Sequence, residues 1–211
     1  MGDSIERLEW RYAVKKFDKD AYLSEAQLEK LIKAFNLTAT SYGLQPIRLV
    51  VIKNKEIQAA LVPHSYKQNQ LAQASHVLVI CIETNIDQEY ISKYFERVKQ
   101  VRGTSDEILS PFKDALVDSF SEKETEEIRQ WATNQAYLAM GNLLTVCAIE
   151  HIDACPMEGF KPAAYDKQLG LESMGLSSVL VLPVGKRARD DFFSEMKKVR
   201  RDLSETVIHI K

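Results

Sequence analysis

Two short cationic stretches of the chain carry residue types that could bind a ligand rather than pack in a core. Arg11 and Lys15 lie four residues apart, so two cations could hold one anion from two sides. Near the C-terminus, Lys198 and Arg200 alternate, and in an extended segment alternate side chains point the same way, which suits a phosphate. A solvated charged surface is the alternative interpretation of both stretches.

A third stretch, Cys155–Phe160, predicts a turn in which Pro156 and Gly159 enclose a single carboxylate, Glu158. Gly159 permits close approach of the backbone to a flat ligand, and successive backbone N–H groups can bind an electron-rich atom. An ordinary turn after a long helix is the alternative.

Several common catalytic motifs are missing from the sequence. It contains no G-x-G-x-x-G, no C-x-x-C and no G-x-S-x-G motif. Gly170 and Gly175 have the spacing of a P-loop, but no lysine follows them. The four histidines show no spacing typical of metal ligands, which predicts that there is no metal site. Cys81 and Cys147 fit core packing better than chemistry.

Composition excludes further classes of function. The 211 residues contain 28 Lys+Arg and 30 Asp+Glu, a balance that argues against a nucleic-acid-binding protein. No apolar run approaches ~18 residues, so no membrane span is expected. The N-terminal segment Met1–Glu6 lacks a cationic start and an apolar stretch, so it does not resemble a signal peptide. We therefore expect a cytoplasmic protein.

The elements that would position these stretches can be predicted in outline. Asp3 with Glu6, and Ser24 with Gln27, have the spacing of capping boxes, each opening a helix. Strands are predicted at 47–52, 76–82 and 178–184, with a possible fourth at 207–210 that could add to a neighbouring subunit's sheet. Residues 38–46 predict a loop.

The middle of the chain is predicted to be helical with one interruption. A helix over 86–101 should end at Gly103. Pro111 interrupts the weakly helical segment 104–120, which suggests a mobile excursion. Ser121 and Glu124 are expected to cap a long helix over 122–150, whose second half is apolar on almost every side and suits a subunit interface.

Six motifs, in order over about 190 residues, resemble those of the nitroreductase family, the FMN-dependent NAD(P)H oxidoreductases. The similarity is greatest to the oxygen-insensitive nitroreductases and the related dihydropteridine reductases. The matching segments are Arg11–Phe17, Thr40–Pro46, Lys67–Gln70, Gly141–Asn142, Pro156–Phe160 and Lys198–Arg200.

The resemblance implies a fold and an assembly. The expected fold is α+β, a three-layer α/β/α sandwich formed by one domain over residues 1–211. The family forms an intertwined homodimer with a long central helix, and two FMN molecules lie in the subunit interface.

The resemblance also implies roles for individual residues. Arg11, Lys198 and Arg200 should hold the FMN phosphate. Lys15 should lie near the pyrimidine end of the flavin, where a cation stabilises the charge of the reduced ring. The backbone N–H groups of Glu158 and Gly159 should face flavin N5 and O4. Lys15 and Glu158 are thus the predicted catalytic residues.

Nine further residues match cofactor-binding positions of the family. Thr40 and Ser41 are expected to reach the cofactor from the other subunit. Two positions depart from the family pattern, because Ala13 stands where a serine is common and Lys67 stands where an asparagine is common. The nine residues are Tyr12, Ala13, Thr40, Ser41, Gln45, Lys67, Gln70, Pro156 and Met157.

The predicted activity is ping-pong hydride transfer from NAD(P)H through FMN to a small electron acceptor, namely a nitroaromatic, a quinone or a pteridine. One alternative keeps the fold but changes the reaction to reductive dehalogenation or flavin destruction. The other alternative is a dimeric flavin-binding protein without enzymatic activity.

Overall fold

The computed structural model describes residues 3–211, and within them the central feature is a four-stranded antiparallel sheet. The strand order is β1-β2-β4-β3, for strands β1 (Ile47–Ile52), β2 (His76–Glu83), β3 (Asp153–Ala154) and β4 (Leu176–Gly185). The three strands predicted at 47–52, 76–82 and 178–184 are confirmed. Met1 and Gly2, part of the segment predicted not to be a signal peptide, lie outside the described residues.

The prediction of a fourth strand at 207–210 is wrong for the single chain. Residues 207–211 have neither helix nor strand, and every residue from Phe192 to Lys211 is exposed. A strand needs a neighbour to accept its backbone hydrogen bonds, and no strand of residues 3–211 lies beside this tail. The fourth strand is instead the two-residue β3.

Helices surround the sheet. Both predicted capping boxes are present: the side chain of Asp3 caps the first helix, and that of Ser24 accepts from the Gln27 N–H at 3.2 Å. The helices are α1 (Ser4–Trp10), α2 (Glu25–Asn36), α3 (Lys55–Leu61), α4 (Gln70–Gln73), α5 (Gln88–Arg102), α6 (Asp106–Ser121), α7 (Thr125–Ile149), α8 (Pro162–Leu169) and α9 (Leu203–Thr206).

Strand β2 shows why the fold has three layers. Its side chains alternate between two apolar clusters, because successive residues of a strand point to opposite faces. Leu78, Ile80 and Ile82 face the cluster built with α2, α5, α6 and α7. Val77 and Val79 face the cluster built with α3, α4 and α8. The predicted three-layer α/β/α sandwich is confirmed.

The prediction that Pro111 interrupts the segment 104–120 is wrong, whereas the mobility of this segment stays a prediction. Residues 106–121 form the 16-residue helix α6, and Pro111 lies inside it. Proline removes one backbone donor and crowds the preceding turn, but the apolar face of α6 packs on α5 and the core. Leu116 and Phe120 are buried there, and the ring of Phe112 meets that of Phe95 at 5.7 Å. Tertiary packing therefore outweighs the local cost of the proline.

The long helix begins three residues later than predicted. Ser121 ends α6, where its hydroxyl donates to the Asp118 carbonyl at 2.7 Å. Glu124 is the N-cap of α7, and its backbone N–H donates to the Glu127 carboxylate at 3.0 Å. The helix then runs for 25 residues along the sheet. Gly103 ends α5 in the left-handed conformation, as predicted.

Among residues 3–211, none of the helices is both long enough and apolar enough to span a bilayer.

Candidate functional site

Three cations from opposite ends of the chain meet beside the C-terminal end of α1. Arg11 is the C-cap of that helix, and the ammonium of Lys198 donates to its carbonyl oxygen. Burial lowers the pKa of Arg11, and repulsion from Arg200 lowers it further. The pKa of Lys198 is lowered first by burial and then by Arg11 and Arg200. We call Arg11, Lys198 and Arg200 the cation cluster.

The electrostatics of the cation cluster favour an anion. The pKa values of Arg11 and Lys198 are lowered first because burial disfavours their charged forms and then because neighbouring positive charges repel them. A phosphate would relieve that repulsion and accept charge-assisted hydrogen bonds from all three side chains. The structure thus brings together the three residues predicted to hold a phosphate.

A short backbone pairing places Lys15 near Cys155. Ala13 pairs with Ala154 of β3, and the Val14 N–H donates to the Ala154 carbonyl at 3.2 Å. The pairing brings the Lys15 side chain close enough to Cys155 to oppose the rise that burial causes in the pKa of that thiol. Lys15 and the turn that begins at Cys155 therefore share one side of the molecule.

The turn at 155–160 is fixed to strand β4. The Met157 N–H donates to the Val181 carbonyl at 2.8 Å, and the Val181 N–H returns the bond at 3.1 Å. Phe160 is buried against Tyr165, with ring centroids 4.7 Å apart. Neither Glu158 nor Gly159 uses its backbone N–H in a hydrogen bond within residues 3–211. Two free donors therefore stand on a rigid turn.

A glutamine pair links this turn to the segment before β2. The Gln68 side-chain amide donates to the Gly159 carbonyl at 2.9 Å, and the Gln70 amide donates to the Gln68 side-chain oxygen at 2.9 Å. A Cβ on Gly159 would lie 3.1 Å from that Gln68 nitrogen. Lys67 is exposed beside the pair, with a left-handed φ of 60°.

The other predicted residues on this side support the backbone. The Tyr12 hydroxyl donates to the Asp191 carboxylate at 3.0 Å, and burial together with that bond raises its pKa. Ala13 contributes its backbone to the pairing with β3. Pro156 leads into the turn and is half-buried, and Met157 is buried.

Thr40, Ser41 and Gln45 lie together in one loop, which is separate from the cation cluster. The Thr40 hydroxyl accepts from the Gln45 N–H at 3.1 Å, and the Ser41 N–H donates to the Gln135 side chain on α7 at 2.8 Å. No hydrogen bond within the described part of the chain joins this loop to the cation cluster. The single chain therefore does not bring all predicted site residues together.

A pocket of about 590 Å³ lies next to this loop and not at the cation cluster. Gly43, Gln45, Arg48 and Tyr94 are among the residues that line it. Gly43 has a φ of +74°, and a Cβ there would lie 2.5 Å from the Tyr94 hydroxyl oxygen, so glycine is favoured at this position.

The structure adds site residues that the sequence did not indicate. Tyr137 on α7 donates its hydroxyl to the Glu158 carboxylate at 2.8 Å, and this bond raises the pKa of Tyr137. Asp191 accepts bonds from the Lys15 segment. The position of Asp191 before Phe192, typical of a helix N-cap, could have indicated its role from the sequence. Nothing in the sequence spacing of Tyr137 indicates a role for it.

Within residues 3–211, no second candidate site is formed by cysteine, histidine or acidic side chains. No group of three or more His, Cys, Asp or Glu there could hold a metal ion. Burial raises the pKa of Cys81 and of Cys147 to about 12, so both thiols stay protonated.

Comparison with known proteins gives one consistent result. The model of the nitroreductase family matches residues 8–186. The chain is 27% identical over 212 residues to the oxygen-insensitive NAD(P)H nitroreductase of Salmonella typhimurium, covering 95% of this chain and 96% of that protein.

Two solved structures share the fold. One, from Exiguobacterium sibiricum, was solved in complex with FMN; it has a TM-score of 0.84 and 17% identity, covering 100% of this chain and 98% of the other. The NADPH:FMN oxidoreductase of Vibrio harveyi, complexed with NAD+, has a TM-score of 0.71 and 15% identity, covering 100% of this chain and 78% of the other.

Proposed function

Because the chain belongs to the nitroreductase family, we propose that it is an NAD(P)H oxidoreductase that works with FMN and reduces small electrophilic acceptors. The acceptors are nitroaromatics, quinones or pteridines, which take the place that NAD(P)H has left. One observation supports this most strongly: Arg11, Lys198 and Arg200 converge although 187 residues separate Arg11 from Lys198. Such a cluster matches the phosphate of FMN.

The residues present fit FMN at both of its ends. The cation cluster supplies the charges that a phosphate dianion requires, including the bidentate guanidinium groups of Arg11 and Arg200. The free N–H groups of Glu158 and Gly159 suit the electron-rich edge of a flat ring. The relative of known structure with FMN shares this fold.

Bound FMN supplies the hydride chemistry, taking two electrons from NAD(P)H and passing them to the acceptor. The protein binds and orients. Lys15 contributes positive charge beside the turn at 155–160, which favours the more negatively charged, reduced form of the cofactor. Tyr137 holds the Glu158 side chain and so helps to fix the turn that carries the two free donors.

We propose further that the protein is a homodimer. Leu138 and Ile149 lie on the exposed face of α7 and are 54% and 49% exposed. The arm after Asp191 also exposes apolar side chains, with Ile208 and Ile210 87% and 95% exposed. Apolar surface of this extent favours burial against a second copy. In such a dimer, Thr40, Ser41 and Gln45 would complete the site of the partner.

The test is an absorption spectrum followed by a turnover assay. We expect the purified protein to carry FMN and to oxidise NAD(P)H faster when menadione or a nitrofuran is added. A protein that binds no FMN would contradict the proposal. A protein that binds FMN but oxidises no NAD(P)H with any acceptor would instead be a flavin-binding protein.

A further inference from the structure

Asp191 is a buried carboxylate, 3% exposed, that follows the last strand of the sheet. Its Oδ2 atom accepts from the backbone N–H of Lys15 at 2.9 Å, from that of Lys16 at 3.1 Å and from the Tyr12 hydroxyl at 3.0 Å. A buried charge is tolerated only when it is hydrogen-bonded in this way. The carboxylate therefore fixes two consecutive peptide groups at Lys15.

The other oxygen of the same carboxylate forms a hydrogen bond at the start of the segment that leads to Lys198. Oδ1 accepts from the Phe193 N–H at 3.3 Å and caps the short 3-10 helix Phe192–Glu195, which leads towards Lys198. The two segments also pair directly, since the Ala188 N–H donates to the Lys16 carbonyl at 2.9 Å. One side chain thus joins the Arg11–Lys16 segment to the start of the C-terminal arm.

We propose that Asp191 is a positioning residue for Lys15: its carboxylate holds the Lys15 backbone so that the ammonium reaches the bound cofactor. The inference rests on the proposed FMN-dependent function. Lys15 itself is exposed, so burial does not restrain its side chain. The position of its backbone limits where the ammonium can reach, and Asp191 fixes that position together with the pairing of Ala13 and Val14 with Ala154.

Positioning and simple electrostatics have opposite consequences for the cofactor. A negative charge near the flavin makes reduction harder, so removal of the Asp191 charge alone would raise the midpoint potential whether or not Lys15 is present. Loss of positioning would lower the potential, and only while Lys15 is there to be misplaced. The positioning role and the purely electrostatic role are therefore distinguished by the sign of the change in midpoint potential and by whether that change depends on Lys15.

The experiment is a double-mutant cycle with Asp191→Asn and Lys15→Gln in the FMN-loaded protein. Asparagine keeps the size, but its amide group cannot accept from both sides as the carboxylate does. We expect Asp191→Asn to slow cofactor reduction by NAD(P)H about tenfold and to lower the midpoint potential. In the Lys15→Gln background the same change should alter the rate less than about twofold, because contacting residues are coupled.

Asp190→Asn is the matched control. Asp190 is the neighbouring carboxylate, but it is exposed and pairs with the Lys16 ammonium rather than with the Lys15 backbone. We expect the control to reduce its cofactor at the wild-type rate and to bind FMN with wild-type affinity, measured by fluorescence titration of the apoprotein. Asp191→Asn should weaken FMN binding severalfold, because Arg11 lies on the same segment.

A second variant guards against misfolding of the first. Asp191→Ser keeps an N-cap acceptor for Phe193, but its side chain is too short to reach the Lys15 and Lys16 amides. If Asp191→Asn fails to fold by circular dichroism, the same cycle is measured with Asp191→Ser, with the same expected result.

Three results would overturn the inference. The rate could fall equally with and without Lys15, the potential could rise in both backgrounds, or Asp191→Asn could match the wild type. In each case the wild type still binds FMN, so the proposed function stands. A wild-type protein without FMN would instead remove the proposed function and this inference together.

Discussion

At Arg11 and Lys198, burial and neighbouring positive charge both lower the pKa. Repulsion of this kind costs stability unless an anion is bound, which is one reason why we propose that the cluster binds a ligand. The sequence predicted these residues as phosphate ligands, but it could not show that the two chain ends meet, because that contact is set by tertiary packing.

The first prediction separates the cation cluster from its charged neighbours. Lys198→Ala should weaken FMN binding about ten- to a hundredfold, since loss of a charged hydrogen-bond partner costs about 1.5–3 kcal/mol. The matched control is Lys197→Ala, which removes an adjacent exposed lysine. Equal affinities of the two variants for FMN, measured by fluorescence titration, would refute the assignment of Lys198.

The second prediction concerns the charge of Lys15. Lys15→Gln keeps a donor and much of the volume but removes the charge, so the reduced cofactor loses stabilisation. We expect the midpoint potential to fall by tens of millivolts, because about 30 mV corresponds to 1.4 kcal/mol for a two-electron couple. Reduction by NAD(P)H in stopped flow should also slow. An unchanged potential with full flavin content would identify Lys15 as a solvated surface lysine.

Some predicted site residues form hydrogen bonds within the fold that could not be predicted from the sequence. Tyr12 and Gln70 were predicted to bind the cofactor, and in the structure their polar groups bond to Asp191 and Gln68. Asp191 lies outside the six matching segments, whereas Gln68 lies in the same segment as Gln70. Whether the two residues also bind the cofactor stays a prediction. Motifs identify positions on the chain, whereas partners across the fold need coordinates.

At the scale of elements, the two capping boxes and the helix end at Gly103 are as predicted, whereas the predictions at Pro111 and Ser121 are wrong. The boxes at Asp3 and Ser24 are present because their hydrogen bonds lie within one turn of the chain. Pro111 did not end a helix, because the apolar face of α6 gains more from packing on α5 than the proline costs. Ser121 is the last residue of α6 and does not cap α7. The residue type alone does not predict to which of two adjacent helices a serine belongs.

The third prediction tests the loop that carries Thr40 and Ser41. Gly43→Ala should destabilise the protein by at least about 2 kcal/mol, because it adds a clash with Tyr94 to the cost of a left-handed residue. Gly103→Ala is the matched control: its φ is +67°, but no atom lies within 4 Å of the added Cβ. It should cost only about 1 kcal/mol. Urea unfolding measures both, and equal losses would contradict the clash.

At the scale of the whole molecule, β2 is apolar nearly throughout, and its side chains reach both faces of the sheet, each covered by one of the two apolar clusters. Because both clusters share one sheet, we infer that residues 3–211 form a single domain. The conformation of residues 207–210 was not predictable in the same way, because a terminal apolar segment forms a strand only where the edge of a sheet is free beside it.

The fourth prediction concerns assembly. Leu138→Glu places a charge on the exposed apolar face of α7 and should convert a dimer of about twice 24.0 kDa into monomers. Val101→Glu is the control, because Val101 is 67% exposed on α5, away from that face. Light scattering gives the mass. A wild-type protein of about 24 kDa at micromolar concentration would refute the homodimer.

The central claim is that the cation cluster holds the phosphate of FMN, and a comparison of FMN with riboflavin tests it most directly, because the two ligands differ only in that phosphate. The measurement is the dissociation constant of each ligand for the wild-type apoprotein and for Arg200→Ala. We predict that the wild type prefers FMN by about a hundredfold or more, and that Arg200→Ala weakens FMN binding at least about tenfold while riboflavin binding is unchanged. Equal affinity of the wild type for both ligands, or an equal loss for both in Arg200→Ala, would contradict the account.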